Sequence, residues 1–405
     1  MTLIQIISGE TLQNVLPILA LKPARVISVV STANKVFLAK TRDIENAIKL
    51  AWPKFGSGPV PDFVPDPVSA ESDSPSIENF HKVVGQVIAQ NSEACVNYTG
   101  GTKDMSIGAW LAAREAGVPT LYCDTPRLFR SGDTAPLNFP MQLGDVARRL
   151  DVPAILAAHG LLQGQHWKVY KETGARIAFG RISFELLLKD QRAVKGVQRA
   201  IVEHGNAGQK KRPNRDDLTR VLQRAVELPE GEIARQFLDA ASRAGLMVHR
   251  RDGWFIGPLW KGNPRVQLDH LDKTLMQLTG GAYEGFIHDR LERSPRFTAF
   301  LHGVMPASAS EDSTFGETDF LAFEPGRTRL VLISCKSSPP SLEHLEATLA
   351  RKAHFGGRFA HSILCIKSAL DKKREYDIRK QCDLLSIECL IGSEVENAFA
   401  TNVTA

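Results

Sequence analysis

The first 125 residues alternate short apolar runs with amphipathic helical patterns, and this alternation limits the possible folds more than any other feature. The apolar runs lie at 3–7, 25–30, 94–98 and 120–123. Strands buried on both faces are almost continuously hydrophobic, and two parallel strands need a crossover helix between them. The pattern therefore predicts an α/β fold with a Rossmann-like parallel sheet, which binds ligands beyond the carboxyl ends of its strands.

The junction at 98–103 reads Tyr-Thr-Gly-Gly-Thr-Lys and joins a predicted strand to a helix. Glycines let the backbone approach a ligand, and a helix N-terminus presents unpaired N–H groups to an anion. Ser8-Gly9 and Ser31-Thr32 follow two other predicted strands and should lie at the same edge of the sheet. The three segments predict a pocket for phosphate or ribose groups, with a simple capped turn as the alternative. The spacing of a Walker A loop is absent, so hydrolysis of a nucleoside triphosphate is not favoured.

Two predicted strands in the last third of the chain carry acidic and basic side chains. They span 316–323 and 329–336, and a Pro-Gly turn joins them. Because side chains alternate along a strand, two carboxylates share one face of the first strand, and a serine and a lysine share one face of the second. These four residues are Glu317, Asp319, Ser334 and Lys336.

Carboxylates opposite a lysine are typical of a metal-dependent phosphodiesterase. Carboxylates hold Mg²⁺ or Mn²⁺, the metal acidifies a water, and the lysine orients that water or neutralises charge on the phosphate. Glu284, on a helix predicted at 282–293, is a candidate third carboxylate. The alternatives are a structural ion pair between Asp319 and Lys336 and a surface pairing of Glu284 with a nearby arginine.

Both motifs occur in the order found in one known family. Residues 97–103 resemble the signature of CARF domains, the Rossmann-like sensors of CRISPR-associated proteins. In CARF proteins that carry a restriction-endonuclease-like domain of the PD-(D/E)xK type, a helix glutamate, a Glu-x-Asp strand, an acidic-x-Lys strand and a Gly-Gly turn follow. The matching positions are Glu284, Glu317 with Asp319, Ser334 with Lys336, and Gly356-Gly357. The resemblance covers roughly 1–130 and 270–390.

The resemblance implies a nuclease of type III CRISPR systems that is activated by a cyclic oligoadenylate. The expected activator is cyclic tetra-adenylate, shared by the sensor domains of a homodimer, and the expected substrate is single-stranded RNA or DNA, with nicking of duplex DNA as an option. Glu284, Glu317 and Asp319 would hold Mn²⁺ or Mg²⁺, and Lys336 would position the attacking water. The ligand contacts implied in the sensor are Ser8, Gly9, Thr11, Thr32, Thr99, Gly100, Gly101, Thr102 and Lys103.

The sequence departs from the family pattern at Ser334, where the family has Glu or Asp. Serine is neutral and a poor metal ligand. Three outcomes are open. Glu317 replaces the missing carboxylate by lying beside Asp319, or metal binding is weaker but sufficient, or the nuclease is inactive. The first outcome is the one we favour.

The resemblance leaves the middle of the chain unmatched, and the predicted division is a sensor at 1–150, a linker at 151–265 and a nuclease at 266–405. Two helices at 216–227 and 229–245 and a hairpin that turns at Asp252-Gly253 resemble a winged helix. The stretch 192–251 holds 13 Lys/Arg against 7 Asp/Glu. A basic segment is consistent with nucleic-acid binding or with solvated helix faces. A second hypothesis is therefore a catalytically weak or inactive regulator that responds to the same ligand and binds nucleic acid here.

The remaining composition points to a cytoplasmic protein. Six cysteines form no Cys-x-x-Cys pair, so no zinc site is indicated and reduced thiols are expected. No signal peptide and no apolar run long enough to span a bilayer are evident, so no membrane partner is expected.

Overall fold

The structure is a computed structural model of the 405-residue chain. It describes residues 1–31, 35–56, 58–65, 67–70, 76–124, 128–131, 137–161, 174–206, 218, 221–257, 264–305, 317–356, 360–368 and 370–400. Thr32, Gly357 and four residues of the helix predicted at 216–227, namely 216, 217, 219 and 220, lie outside these residues. Within the described ranges, no helix is both long and apolar enough to cross a membrane.

The predicted N-terminal parallel sheet is confirmed. Its strands are β1 (Thr2–Ile6), β2 (Arg25–Ser31), β3 (Asp62–Phe63), β4 (Val68–Ala70), β5 (Ala94–Asn97), β6 (Thr120–Asp124) and β7 (Leu128–Ser131). They are ordered β3-β2-β1-β5-β6-β7, and β4 also pairs with β2. The central pairs are parallel, and β7 is antiparallel to β6. β1 and β5 are therefore neighbours whose carboxyl ends meet at one edge.

Helices cover both faces of this sheet. They are α1 (Leu12–Leu21), α2 (Lys35–Ala51), α3 (Ile77–Ala89), α4 (Lys103–Glu115), α5 (Leu143–Arg149) and α6 (Val152–Ala158). Apolar side chains of α1, α2, α5 and α6 form the core on one face, and those of α3 and α4 form the core on the other.

The middle of the chain is mostly helical where it is described. It contains α7 (Gly174–Lys189), α8 (Gln191–Asn206), α9 (Glu232–Arg243), β8 (Met247–Arg250), β9 (Gly253–Ile256), α10 (Pro264–Leu278) and α11 (Gly280–Arg293). The second predicted helix and the hairpin are confirmed, since α9 precedes the antiparallel pair β8–β9.

A second sheet follows, ordered β10-β11-β12-β13-β14. Its elements are β10 (Ala299–Val304), β11 (Thr318–Glu324), β12 (Arg329–Lys336), α12 (Leu342–Gly356), β13 (His361–Ile366), α13 (Lys372–Leu384), β14 (Ile387–Ile391) and α14 (Glu394–Ala400). β10, β11 and β12 are antiparallel, and β12, β13 and β14 are parallel. The placement of Glu317 within the first predicted strand is wrong, because β11 begins at Thr318.

The two faces of the second sheet have different neighbours. Phe320 and Ile333 belong to a core shared with helices α7 to α11. Leu321 and Leu332 belong to the core that also contains α1, α2 and α6. The two sheets therefore share one continuous apolar core, and α6 lies between them.

Candidate nuclease and nucleotide-binding sites

Three donors converge on the carboxylate of Asp319 at the start of β11. The backbone N–H of Cys335 donates to Asp319 Oδ2 at 2.6 Å, and the Ser334 hydroxyl donates to the same oxygen at 3.4 Å. Lys336 Nζ lies 3.7 Å from it. The antiparallel register pairs Phe320 with Ile333, so Asp319 comes next to Ser334. Ser334 thus acts as a hydrogen-bond donor to Asp319 instead of supplying a second carboxylate.

Glu284 reaches the same region from α11 and contacts a histidine. Its Oε2 lies 3.3 Å from Nε2 of His302, a residue of β10 that is 4% exposed. The ring of His302 stacks on Phe320 with centroids 4.2 Å apart. His288 Nδ1 lies 3.4 Å from His302 Nδ1. Sequence reasoning missed His302 because β10 was not recognised, and a single histidine in an apolar run carries no functional pattern.

Burial and neighbouring carboxylates raise the pKa of two acids of this site, Asp319 and Glu317. Burial raises the pKa of Asp319, Glu284 raises it further, and Lys336 opposes both. Burial also raises the pKa of Glu317, and the charges of Asp319 and Glu284 add to the effect, while His302 and Lys336 lower it. The three acidic residues therefore act on one another electrostatically, and a cation between them would relieve their repulsion.

The donor set suits a hard divalent cation, because Mg²⁺ and Mn²⁺ prefer carboxylate oxygens. Within the described part of the chain, however, no three His, Cys, Asp or Glu side chains are close enough to hold a metal. Glu284 is engaged with His302, and Asp319 with Lys336. The residues thus have the chemistry of a metal site, but their side chains are not gathered into a ligand cage.

His344, near the start of α12, faces the site from another side. Burial lowers its pKa, and the positive charge of Lys336 lowers it further. Its Nε2 is buried and has no hydrogen-bond partner among the described residues. A neutral imidazole near Lys336 is a polar group that sequence reasoning also missed.

The glycines of the sensor loop bring two strand ends together. A Cβ at Gly100 would lie 2.0 Å from the carbonyl oxygen of Ile6 at the end of β1, and Gly101 has φ +86°. Both positions therefore require glycine. Thr102 caps α4, and its side chain accepts a hydrogen bond from the backbone N–H of Met105.

The exposed groups of this edge form the candidate ligand surface. Gly9, Thr102 and Lys103 are exposed, and Ser8 and Gly101 are half-buried. These groups present hydroxyls, an ammonium and backbone amides beyond the carboxyl ends of β1 and β5. The arrangement suits phosphate or ribose oxygens.

Two other ligand candidates are engaged within the protein. The Thr99 hydroxyl donates to Asn97 Oδ1 at 2.6 Å and accepts from the Cys123 N–H at 2.6 Å. Thr11 is fully buried, and its hydroxyl donates to the carbonyl of Ala158 at the end of α6. Ligand contact by Thr99 and Thr11 stays a prediction.

The fold combines a Rossmann-like parallel sheet with a second, mixed sheet. No protein-family model and no curated protein sequence matches the chain. Solved structures of other proteins, in contrast, are similar to this chain in fold. Can2 from Sulfobacillus thermosulfidooxidans in complex with cyclic tetra-adenylate is similar with 17% identity and a TM-score of 0.62, covering 98% of this chain and 97% of Can2. Protein VC1899 from Vibrio cholerae is similar with 12% identity and a TM-score of 0.68, covering 98% and 95%. The resemblance to CARF-domain ancillary nucleases is confirmed for the fold.

Proposed function

We propose that this protein is a metal-dependent nuclease of type III CRISPR defence, activated by a cyclic oligoadenylate and cleaving single-stranded RNA or DNA. The observation that carries the proposal is the convergence of Lys336 and two carboxylates, Asp319 and Glu284, at one end of the second sheet. The charges of both carboxylates also raise the pKa of Glu317. Residues 266–405 would be the nuclease, and residues 1–150 the sensor that controls it.

The chain's own residues have separate tasks in this reaction. Glu284, Glu317 and Asp319 would hold Mg²⁺ or Mn²⁺, which when bound acidifies a water and neutralises phosphate charge. The Cys335 N–H and the Ser334 hydroxyl fix the orientation of the Asp319 carboxylate. Lys336, 3.7 Å from Asp319, would orient the attacking water or neutralise the phosphate.

The activator would bind at the carboxyl edge of the first sheet, at Ser8, Gly9, Gly101, Thr102 and Lys103. Can2 was solved with cyclic tetra-adenylate and shares the fold, which supports this ring as the activator. A ring with repeated phosphates would be shared by the two sensor domains of a homodimer. Its binding would shift the dimer toward a state in which the nuclease carboxylates close around a metal.

The test is cleavage of labelled single-stranded RNA and DNA and of supercoiled plasmid by the full-length protein with Mn²⁺ or Mg²⁺, with and without cyclic tetra-adenylate. Asp319→Asn should lower the rate by at least about 100-fold and leave activator binding unchanged. Asp383→Asn, which alters an exposed acid on α13, is the matched control. The absence of cleavage of every substrate, with activator and metal present, would overturn the proposal.

Two observations favour the second candidate, a nucleic-acid-binding regulator. The described carboxylates form no ready metal cage, and the hairpin β8–β9 presents Arg250 with its guanidinium 4.6 Å from the ring centre of Phe255. Gel shifts with the double variant Arg250→Ala, Arg251→Ala separate the candidates. A lost shift together with absent cleavage would support the regulator.

A further inference from the structure

Lys367 is a buried cation that forms no ion pair within the described part of the chain. It follows β13 and is 3% exposed. Its side chain makes no hydrogen bond or ion pair with any other residue that the structure describes. Burial first, and the nearby charge of Lys195 second, lower the pKa of Lys367 to about 8. A buried ammonium is costly unless an anion pairs with it. The position is therefore suited to an anion that comes from outside the chain.

The sheet places Lys367 beside the candidate nuclease site. The parallel register pairs Lys336 with Ile366, and the Lys367 N–H donates to the Lys336 carbonyl at 2.8 Å. Because side chains alternate, Lys336 and Lys367 lie on opposite faces of the same carboxyl edge. A strand of nucleic acid crossing this edge would pass from one lysine to the other.

Lys367 lines a cavity of about 300 Å³ in which two acidic residues share one arginine. The acids are Glu375 and Glu394, which lie 2.9 Å and 2.7 Å from the guanidinium of Arg379. Ser393 adds a hydroxyl to the lining. Two carboxylates and one guanidinium leave one excess negative charge, so the Lys367 ammonium brings the lining to charge balance. Within the described part of the chain, however, it forms an ion pair with neither carboxylate, so its N–H groups are left to donate to a phosphate oxygen.

A row of cations on α8 leads away from this position. Arg192, Lys195 and Arg199 are exposed at a spacing of three and four residues, which places them on one side of the helix. Val194 and Val197 are buried on the other side. Among the described residues, none of the three cations forms an ion pair. A cationic row of this kind follows the backbone of single-stranded nucleic acid.

We propose that Lys367, together with Lys195, binds a backbone phosphate of the nucleic-acid substrate next to the bond that is cleaved beside Lys336. The α8 row then holds the strand as it leaves the site. The inference rests on the proposed nuclease function and names the path of its substrate. A phosphodiester has the required chemistry, because each phosphate carries one negative charge and oxygens that accept from an ammonium.

The test is equilibrium binding of short fluorescein-labelled single strands of RNA and DNA to the full-length protein with cyclic tetra-adenylate. EDTA is present, so that cleavage cannot interfere. Lys367→Met keeps the length of the side chain and removes a buried charge, so it should fold. It should bind about tenfold more weakly and reduce the slope of log Kd against log salt by about 0.7. Lys195→Gln should do the same, and Lys49→Gln, an exposed lysine on α2, should match wild type.

The outcomes separate this inference from the proposed function. Asp319→Asn should bind strands normally and cleave none. If wild type cleaves while Lys367→Met binds with unchanged affinity and salt slope, the inference is overturned and the nuclease stands. If wild type binds no strand but cleaves in the presence of metal, only the inference is overturned, and if it neither binds nor cleaves, both are. If inorganic phosphate raises the Tm of wild type but not of Lys367→Met, while strand binding is equal, the site is for a free anion and the inference is again wrong.

Discussion

Ser334 replaces a carboxylate of the related pattern and donates to Asp319 at 3.4 Å. Ser334→Asp should restore a ligand beside Asp319 and lower the Mn²⁺ concentration for half-maximal cleavage by roughly tenfold, because an added carboxylate strengthens binding of a hard cation. Without metal, the Ser334→Asp variant should have a lower Tm than wild type, because the introduced carboxylate would repel that of Asp319. Ser334→Asn, of the same size and uncharged, is the control. An unchanged Mn²⁺ requirement in Ser334→Asp would place the metal elsewhere.

The charge of Lys367 has a consequence for stability against pH. Its pKa is about 8 in the folded chain, against a usual 10.5. Between these values the unfolded chain binds more protons, so stability rises with pH in this window and is reduced below it. Lys367→Met should therefore be more stable than wild type by roughly 3 kcal/mol near pH 7, and this advantage should shrink toward pH 10. Urea unfolding at both pH values measures the free energy of unfolding of the variant and of wild type. A difference between the two proteins that does not change with pH would contradict the prediction.

Among the elements, the glycine loop after β5 is the most constrained. A Cβ at Gly100 would lie 2.0 Å from the Ile6 carbonyl, whereas a Cβ at Gly9 has no atom within 4 Å. Gly100→Ala should cost about 1–3 kcal/mol of stability and weaken cyclic tetra-adenylate binding, because the two strand ends must separate. Gly9→Ala is the matched control and should keep the wild-type Tm. Thermal unfolding measures the stability of the variants, and calorimetric titration measures their affinity for cyclic tetra-adenylate. An unchanged Tm in Gly100→Ala would contradict the close approach of Gly100 to the Ile6 carbonyl.

Elements with a regular period could be predicted from the sequence. The apolar runs of the first sheet and the alternation in β11 and β12 gave correct strands, and the parallel-sheet rule correctly brought the Ser8 and Gly100 loops to one edge. β10 was missed because Ala-Phe-Leu-His-Gly-Val contains a histidine and a glycine that interrupt the pattern. The helical region from α5 to α8 was missed because its apolar period was ambiguous. The positions of Glu317, His302 and Lys367 depend on long-range packing, which no local pattern records.

At the scale of the whole molecule, α6 links the two sheets. The Thr11 hydroxyl, in the loop after β1, donates to the Ala158 carbonyl, and Lys40 Nζ donates to the His159 carbonyl at 3.2 Å. Leu156 of α6 shares a core with Leu321 of β11, the strand that carries Asp319. A movement of the ligand loop would therefore reach the nuclease strand through α6.

This link leads to a prediction on activation. Thr11→Val keeps the shape of the side chain but leaves the buried Ala158 carbonyl without its donor, which costs about 1 kcal/mol or more. If the bond couples the loop to α6, the variant should bind cyclic tetra-adenylate nearly normally, while the ratio of activated to basal cleavage falls about fivefold. Thr11→Ser keeps the hydroxyl and should retain the wild-type ratio. Equal ratios in all three proteins would show that the signal reaches the nuclease by another route, such as rotation of the two subunits.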